Sequence, residues 1–176
     1  ELQNVTGSLT LGGTPEGFVP AGAITVDGLT AAQSANLTGL TLRAHAPGGT
    51  VTFATTPSTL SPPARVEAAD GITVTTSLTA TGPLTLAADV FQTGTCTGTV
   101  ADGATVATAS TLTITAADLD LQGTGALTAP AIFVTNSRQG RSVGLGATAG
   151  DLTLSGAELK TVTGSLTLGG TPEGFV

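Results

Sequence analysis

The sequence has no tryptophan, tyrosine or methionine, and its only aromatic residues are five phenylalanines. The large side chains that dominate most protein cores and binding hot spots are therefore nearly absent. A single cysteine, Cys96, excludes a disulfide within the chain. We expect a buried or half-buried thiol there, with an intermolecular bridge as the alternative.

Positive charge is also scarce, because 5 Lys and Arg face 12 Asp and Glu, which gives a net charge of −7. Such a chain repels phosphate backbones and anionic surfaces, so we expect no nucleic-acid partner. Threonine and glycine interrupt every apolar run well before the roughly 18 residues of a membrane span, so we expect no membrane insertion. Mean hydropathy is +0.36, which is too high for a disordered chain.

Threonine and glycine are abundant instead. The chain has 36 Thr, and together with Val and Ile these make 53 β-branched residues, or 30 % of the sequence; 25 Gly are added to them. β-branched residues favour strands, and glycine breaks them with turns. The composition therefore predicts an all-β fold.

The two ends of the chain carry nearly the same sequence. Residues 1–19 and 158–176 agree at 17 of 19 positions, with Gln3 replaced by Lys160 and Asn4 by Thr161. We interpret residues 1–157 as one complete repeat unit and residues 158–176 as the first coil of the next unit in a longer tandem array. A deliberately added overlap and a domain with duplicated ends are the alternatives.

Within the unit, apolar-Thr-apolar triplets alternate with turn signals such as Asp-Gly and Gly-Gly. Alternation with period 2 predicts short strands with an apolar face and a threonine face. A spacing of about 20 residues predicts a β-solenoid of eight coils per unit, since a sandwich would need larger core side chains. The triplets begin at Leu9, Ile24, Leu40, Val51, Ile72, Leu84, Leu112, Leu152 and Leu166.

Two segments depart from this rhythm. Residues 55–63 contain three prolines, so we expect a loop that leaves the solenoid surface. Residues 91–103 are rich in Gly and Thr and predict a longer excursion. Because the spacing of the triplets varies, we expect ladders of outward threonines to lose register over the whole unit.

Triplets such as Leu-Thr-Leu at this spacing, joined by Thr, Ala and Gly, resemble the repeat region of filamentous haemagglutinin-type secreted adhesins. The resemblance implies a right-handed parallel β-helix, export as a long rod, and a role in attachment or as an extracellular fibre. The 157-residue repeat is longer and more faithful than the short repeats of that family. This departure favours a polymer that forms a shaft over a single adhesin tip.

We predict no catalytic, cofactor-binding or metal-binding residues. His45 is the only histidine, and we expect an exposed loop imidazole. Asp118 and Asp120 alternate with leucine and predict carboxylates on the solvent side of a strand, with calcium as the less favoured interpretation. Arg138 and Arg141 form the only basic cluster, which we interpret as a solvated turn, or else as a contact between filaments.

These observations predict a structural shaft repeat of an extracellular fibre, appendage or adhesin stalk. Its partners would be further copies of the repeat stacked end to end, and glycans or a cell surface are possible additional partners. The alternative is a Thr-rich solenoid that binds ice or polysaccharide. A polysaccharide-cleaving enzyme would need clustered Asp, Arg or Lys, and the sequence suggests no such cluster. Asn4 and Asn36 fit the acceptor pattern for N-glycosylation.

Overall fold

Alternation of apolar residues and threonine produces short parallel strands that stack into a β-solenoid. The computed structural model describes residues 2–13 and 19–169. Every strand pair in this part of the chain is parallel. The predicted fold class is confirmed.

The strands in chain order are β1 (Gly7–Leu11), β2 (Ala23–Val26), β3 (Leu37–Ala44), β4 (Thr50–Phe53), β5 (Ser58–Leu60), β6 (Ala64–Ala68), β7 (Ile72–Val74), β8 (Leu78–Ala80), β9 (Leu84–Ala87), β10 (Thr97–Val100), β11 (Thr105–Thr108), β12 (Thr111–Ala116), β13 (Asp118–Leu121), β14 (Ala126–Asn136), β15 (Val143–Leu145), β16 (Leu152–Leu154) and β17 (Val162–Leu168). A short helix, α1 (Ala31–Ser34), and two 3-10 turns (Leu2–Asn4 and Glu158–Thr161) complete the described elements.

The strands form three faces of the solenoid. Face A consists of β2, β4, β7, β10 and β13. Face B contains β5, β8, β11 and the first half of β14, and face C contains β1, β3, β6, β9, β12, the second half of β14, and β17. In the first turn α1 follows β2, where later turns carry a face B strand, and its N-cap Thr30 forms a capping box with Gln33.

Successive turns are longer than predicted. On face A, residues 24, 51, 72, 98 and 119 stack on one another, so the turns contain 27, 21, 26 and 21 residues, about 24 on average. On face C, seven strands run from β1 to β17, so six steps separate Leu9 from Leu166, 157 residues later. One repeat length therefore contains six turns, and the predicted eight is wrong because loops lengthen several turns.

The core consists of aliphatic columns that run along the solenoid axis. All nine predicted triplets lie in strands, and in the interior turns their apolar residues are buried while the central threonine is half-buried. One column on face C joins Leu40, Ala64, Leu84, Leu112 and Ile132, each at most 5 % exposed. Phe53 is the only phenylalanine buried within the described core. A narrow interior of this kind needs few aromatic residues.

The proline-rich segment does not leave the solenoid, and this prediction is wrong. Residues 58–60 form β5, which pairs with β8, and Leu60 is fully buried. Prolines 57, 62 and 63 flank the strand without entering it, so they remove no hydrogen bond of the ladder. The excursion predicted for residues 91–103 is shorter, because residues 97–100 form β10 of face A.

Candidate functional site

The repeated sequence VTGSLTL occurs at both ends of the solenoid, as residues 5–11 and 162–168. The first copy contains β1, which pairs with β3 of the following turn, with Leu9 opposite Leu40. The second copy is β17, which pairs with β14 of the preceding turn, with Leu166 opposite Ile132. Leu9 and Leu166 hold the same position in the repeat. The two copies therefore display the two neighbours that a single strand has in a continuous solenoid.

Apolar side chains of the repeated segment are incompletely buried at these ends. Leu11 is 44 % exposed, whereas Leu42, opposite it on the adjacent strand, is 1 % exposed. Leu166 and Leu168 at the other end are half-buried. Exposed strand edges with apolar residues are templates for further pairing. Both ends are thus chemically suited to accept another turn.

Strand β15 lies at the edge of face A at the second end. It pairs with β16, placing Val143 opposite Leu152 and Leu145 opposite Leu154, and β16 in turn contacts β13. Paired residues point to the same side of a sheet, so Val143 and Leu145 extend the columns of two fully buried leucines. They are 38 % and 49 % exposed, because nothing in the described chain covers them.

Asp151 fixes the loop that carries β15. Its carboxylate accepts hydrogen bonds from the backbone N–H of Ser142 at 2.9 Å and from its hydroxyl at 2.8 Å, and Arg141 Nη1 lies 2.5 Å away. The Ser142 hydrogen bonds, followed by that of Arg141, lower the pKa of Asp151 to about 2. Of the predicted basic pair, Arg141 is therefore used within the chain, and Arg138 is exposed.

A lateral groove opens on the outer side of face C. Its floor is a row of four residues in register on β6, β9, β12 and β14, namely Glu67, Ala87, Thr115 and Thr135. Residues 89–92 of the loop after β9 and residues 136–139 after β14 line its sides. The cavity volume is about 380 Å³. This is within the usual size range of ligand pockets, about 300–1,000 Å³.

Glu67 is the centre of a charged cluster at one end of the groove. Arg43 Nε donates to its Oε2 at 2.8 Å, Arg65 Nε donates to Oε1, and His45 Nε2 lies 3.0 Å from Oε2. Burial acts to raise the pKa of Glu67. The hydrogen bond and charge of Arg65, with the charges of Arg43 and His45, outweigh burial and hold this pKa below its ordinary value. The carboxylate is thus an anion neutralised within the protein.

Asp89 organises the loop beside the groove. It accepts hydrogen bonds from the Ser137 hydroxyl at 2.7 Å, from Gly94 N–H at 2.7 Å, and from the N–H and hydroxyl of Thr93 at 2.9 Å each. Burial raises its pKa, but these bonds together lower it below the ordinary value. Gln92, in this loop, has a left-handed backbone with φ of 55°, a strained conformation of the kind found at binding sites.

The rim of the groove combines an aromatic ring with uncommitted amides. Phe91 is 57 % exposed, and its ring meets the His45 ring edge to face at 6.0 Å between centroids. The amide side chains of Gln92 and Gln139 have no hydrogen-bond partner among residues 2–13 and 19–169. In the same described residues, His45 Nε2 is the one buried side-chain polar atom without a properly oriented hydrogen bond.

Two predictions about these residues are corrected. His45 is not an exposed loop imidazole, because its side chain is 25 % exposed and packed against Glu67 and Phe91. A charged cluster also exists where the sequence suggested none. Arg43 and Glu67 are 24 residues apart, which is one turn, and they stack in register on β3 and β6. The true turn length would have revealed the cluster, whereas the assumed 20 residues concealed it.

Other predicted features lie elsewhere on the surface. Asp118 and Asp120 are on the outward side of β13, as predicted, and Asp118 accepts a hydrogen bond from Thr153 N–H at 2.9 Å. Cys96 is a buried thiol that donates to the Ala69 carbonyl oxygen at 3.3 Å. Asn4 is exposed, and the Asn36 amide donates to the Gln3 carbonyl oxygen, while glycosylation of either remains a prediction.

Outward threonines stay in register over only part of the solenoid. On face A, four threonines stack in consecutive turns before Asp120 ends the column: Thr25, Thr52, Thr73 and Thr99. On face C the corresponding column is interrupted by Arg65 and Phe133. The predicted loss of register thus occurs, although it begins later on face A than on face C.

Comparisons with known proteins give no relative: no protein-family model, no curated protein and no solved structure matches this chain. In the part of the chain that the structure describes, no three His, Cys, Asp or Glu side chains are gathered as metal ligands. None of the helices among these residues has the length and apolar character needed to cross a membrane.

Proposed function

We propose that the chain is a structural repeat whose 157-residue units stack end to end into the shaft of an extracellular fibre or adhesin stalk. The pairing of the two VTGSLTL copies carries this proposal. Superposing β1 of one unit on β17 of the preceding unit places the Leu9 position between Ile132 and Leu40. The apolar column and the backbone ladder then run through the junction without a change of register.

Burial of apolar surface supplies the driving force for this stacking. In a continuous array, the half-exposed leucines of the repeated segment acquire a neighbouring turn on each side. Burying a leucine side chain contributes roughly 1.5–3 kcal/mol relative to leaving it in water. Pairing both strand edges also removes the open N–H and C=O groups that otherwise promote disordered aggregation. Stacking therefore favours a single ordered polymer.

Strand β15 yields its place at each junction in this proposal. Face C advances six steps per repeat, so face A must also advance six steps if the solenoid is to continue straight. Face A reaches this number with β2, β4, β7, β10, β13 and β16, and β15 would be a seventh strand. In the array, β2 of the following repeat takes the position of β15 and directs Ile24 and Val26 onto the columns of Leu152 and Leu154.

The extracellular location rests on composition and resemblance. The chain is acidic, carries 10 % charged residues and is rich in threonine. These properties, the long faithful repeat and the β-solenoid fold are those of the secreted adhesin repeats that the sequence resembles. The partners in this proposal are further copies of the same repeat along one axis.

The test uses a two-repeat protein in which residues 1–157 are followed directly by residues 1–176. We expect one cooperative urea transition with a higher midpoint and a larger m-value than the single unit, because the units share one core and expose more surface on unfolding together. A junction variant, with alanine in place of the second unit's Gly7, is the matched control. Two independent units with the midpoint of the single unit would contradict the proposal.

A further inference from the structure

The lateral groove provides a recognition site that is separate from the stacking surfaces. We propose that it binds an uncharged oligosaccharide of about three sugar units. The floor spans four turns, which at about 4.8 Å per strand step gives a length of about 14 Å along the axis. This length suits a short extended chain lying parallel to the solenoid axis.

The charges of the groove argue against an ionic ligand. Glu67 is neutralised by Arg43 and Arg65, and Asp89 is satisfied by Ser137 and the loop that follows it. An additional ion would face a site whose charges already have partners, and the net charge of −7 disfavours a nucleic acid. A neutral ligand rich in hydroxyl groups costs less desolvation in such a site.

The strands under the groove also exclude a peptide that would add as a new strand. β6 pairs with β3 and β9, β9 with β6 and β12, and β12 with β9 and β14. Every floor strand therefore has neighbours on both sides, and no backbone edge is open for β-augmentation. Recognition must use side chains instead of the ladder.

The side chains present suit a sugar. A pyranose has an apolar C–H face and a rim of hydroxyl groups that donate and accept. The exposed ring of Phe91 and the apolar side chains of Ala87 and Val90 offer surfaces for the C–H face. The uncommitted amides of Gln92 and Gln139 offer both donors and acceptors for the hydroxyls. The strained Gln92 backbone, held by the Asp89 hydrogen bonds, places its amide at the rim before any ligand arrives.

Repetition gives such a site its value, a step that rests on the proposed shaft. Six turns per repeat place one groove about every 29 Å along the axis, at about 4.8 Å per turn. Individually weak sites on one rod bind a polyvalent glycan surface with an avidity far above that of a single site. The site itself does not depend on stacking and is testable on the single unit.

The experiment titrates the ¹⁵N-labelled single unit with uncharged oligosaccharides of two to six units, namely malto-, cello-, xylo- and chito-oligosaccharides, at millimolar concentration. We expect amide shifts confined to residues 85–92 and 135–139. Phe91→Ala should weaken binding at least 10-fold and Gln92→Ala about 3- to 10-fold. Gln122→Ala, an exposed glutamine outside the groove, is the control and should leave affinity unchanged.

Three outcomes would overturn the proposal: no shift from any of these probes, shifts outside the groove, or affinity unaffected by both groove variants. Binding restricted to uronate-containing or sulfated probes would contradict the neutral ligand. Because the titration uses the single unit, failure here leaves the stacking proposal intact. Conversely, a two-repeat protein that does not stack leaves the groove titration unaffected.

Discussion

Two pairs of glycines in the repeated segment allow the stacking geometry to be measured within one chain. Gly7 and Gly164 occupy the same repeat position, as do Gly12 and Gly169. All four have positive φ, with values of 118°, 130°, 68° and 74°. Alanine at any of them therefore costs about 1–3 kcal/mol in backbone strain, similar within each pair.

The neighbours differ within each pair. A Cβ on Gly164 would overlap the carbonyl oxygen of Ala129 in the preceding turn, whereas a Cβ on Gly7 would have no atom within 4 Å. The second pair shows the reverse. A Cβ on Gly12 would overlap the carbonyl oxygen of Arg43 in the following turn, and the nearest atom to one on Gly169 would be Val143 Cγ2 at 3.9 Å.

We expect Gly164→Ala to cost at least about 2 kcal/mol more than Gly7→Ala, because overpacking of about 1–3 kcal/mol is added against a backbone group that cannot move without breaking the ladder. Gly12→Ala should likewise exceed Gly169→Ala. Amide hydrogen exchange of β1 and β17 reports the free energy of opening each terminal turn. Urea unfolding gives the global free energy.

The two-repeat protein completes this test. Gly7 of its second unit lies at the junction, so its replacement by alanine should become as costly as Gly164→Ala in the single unit. The first unit's Gly7 should keep its lower cost. Equal costs at the two Gly7 positions would refute the reasoning, because the second unit would then have no turn beneath it.

Three further predictions follow from the core, the groove and β15. Leu112→Ala removes a fully buried side chain and should lower the free energy of unfolding by about 2–5 kcal/mol, whereas the half-exposed Leu11 should cost under about 1.5 kcal/mol in the single unit, as urea unfolding would show; equal losses would contradict the columnar core. Glu67 has a pKa lowered from 4.5, so its ionised form stabilises the fold above that pH, and the stabilisation is lost as pH falls through the folded pKa; the difference between wild type and Glu67→Gln, about 1–3 kcal/mol at pH 7, should therefore shrink at pH 3, and a constant difference would refute the ion cluster. Asp151→Asn should loosen β15, increasing hydrogen exchange of residues 143–145 without changing β12, and unchanged exchange at β15 would contradict the role given to Asp151.

Local sequence patterns predicted the strands more reliably than the turns. The alternation of leucine and threonine requires one apolar face, so triplets such as Leu112–Ile114 could be placed directly in the core. The turn length could not be derived in this way, because strands such as Ser58–Leu60 are short, flanked by proline and lack the triplet pattern. Overlooking that strand made the turns look shorter than they are.

The groove depended on the same missing quantity. Arg43, Arg65 and Glu67 are ordinary alternating residues of two strands, and only the correct register places Arg43 opposite Glu67. Asp89 and Phe91 belong to a loop whose shape comes from hydrogen bonds to Thr93, Gly94 and the distant Ser137. A contact across 48 residues leaves no local signal in the sequence.

Electron cryomicroscopy of a four-repeat protein tests the stacking of units most directly. The account predicts a rod that lengthens by about 29 Å per repeat, with strands spaced about 4.8 Å apart continuously through each junction and β2 in place of β15. Separate particles joined by linkers, or a break in the strand spacing at every junction with β15 retained, would contradict it.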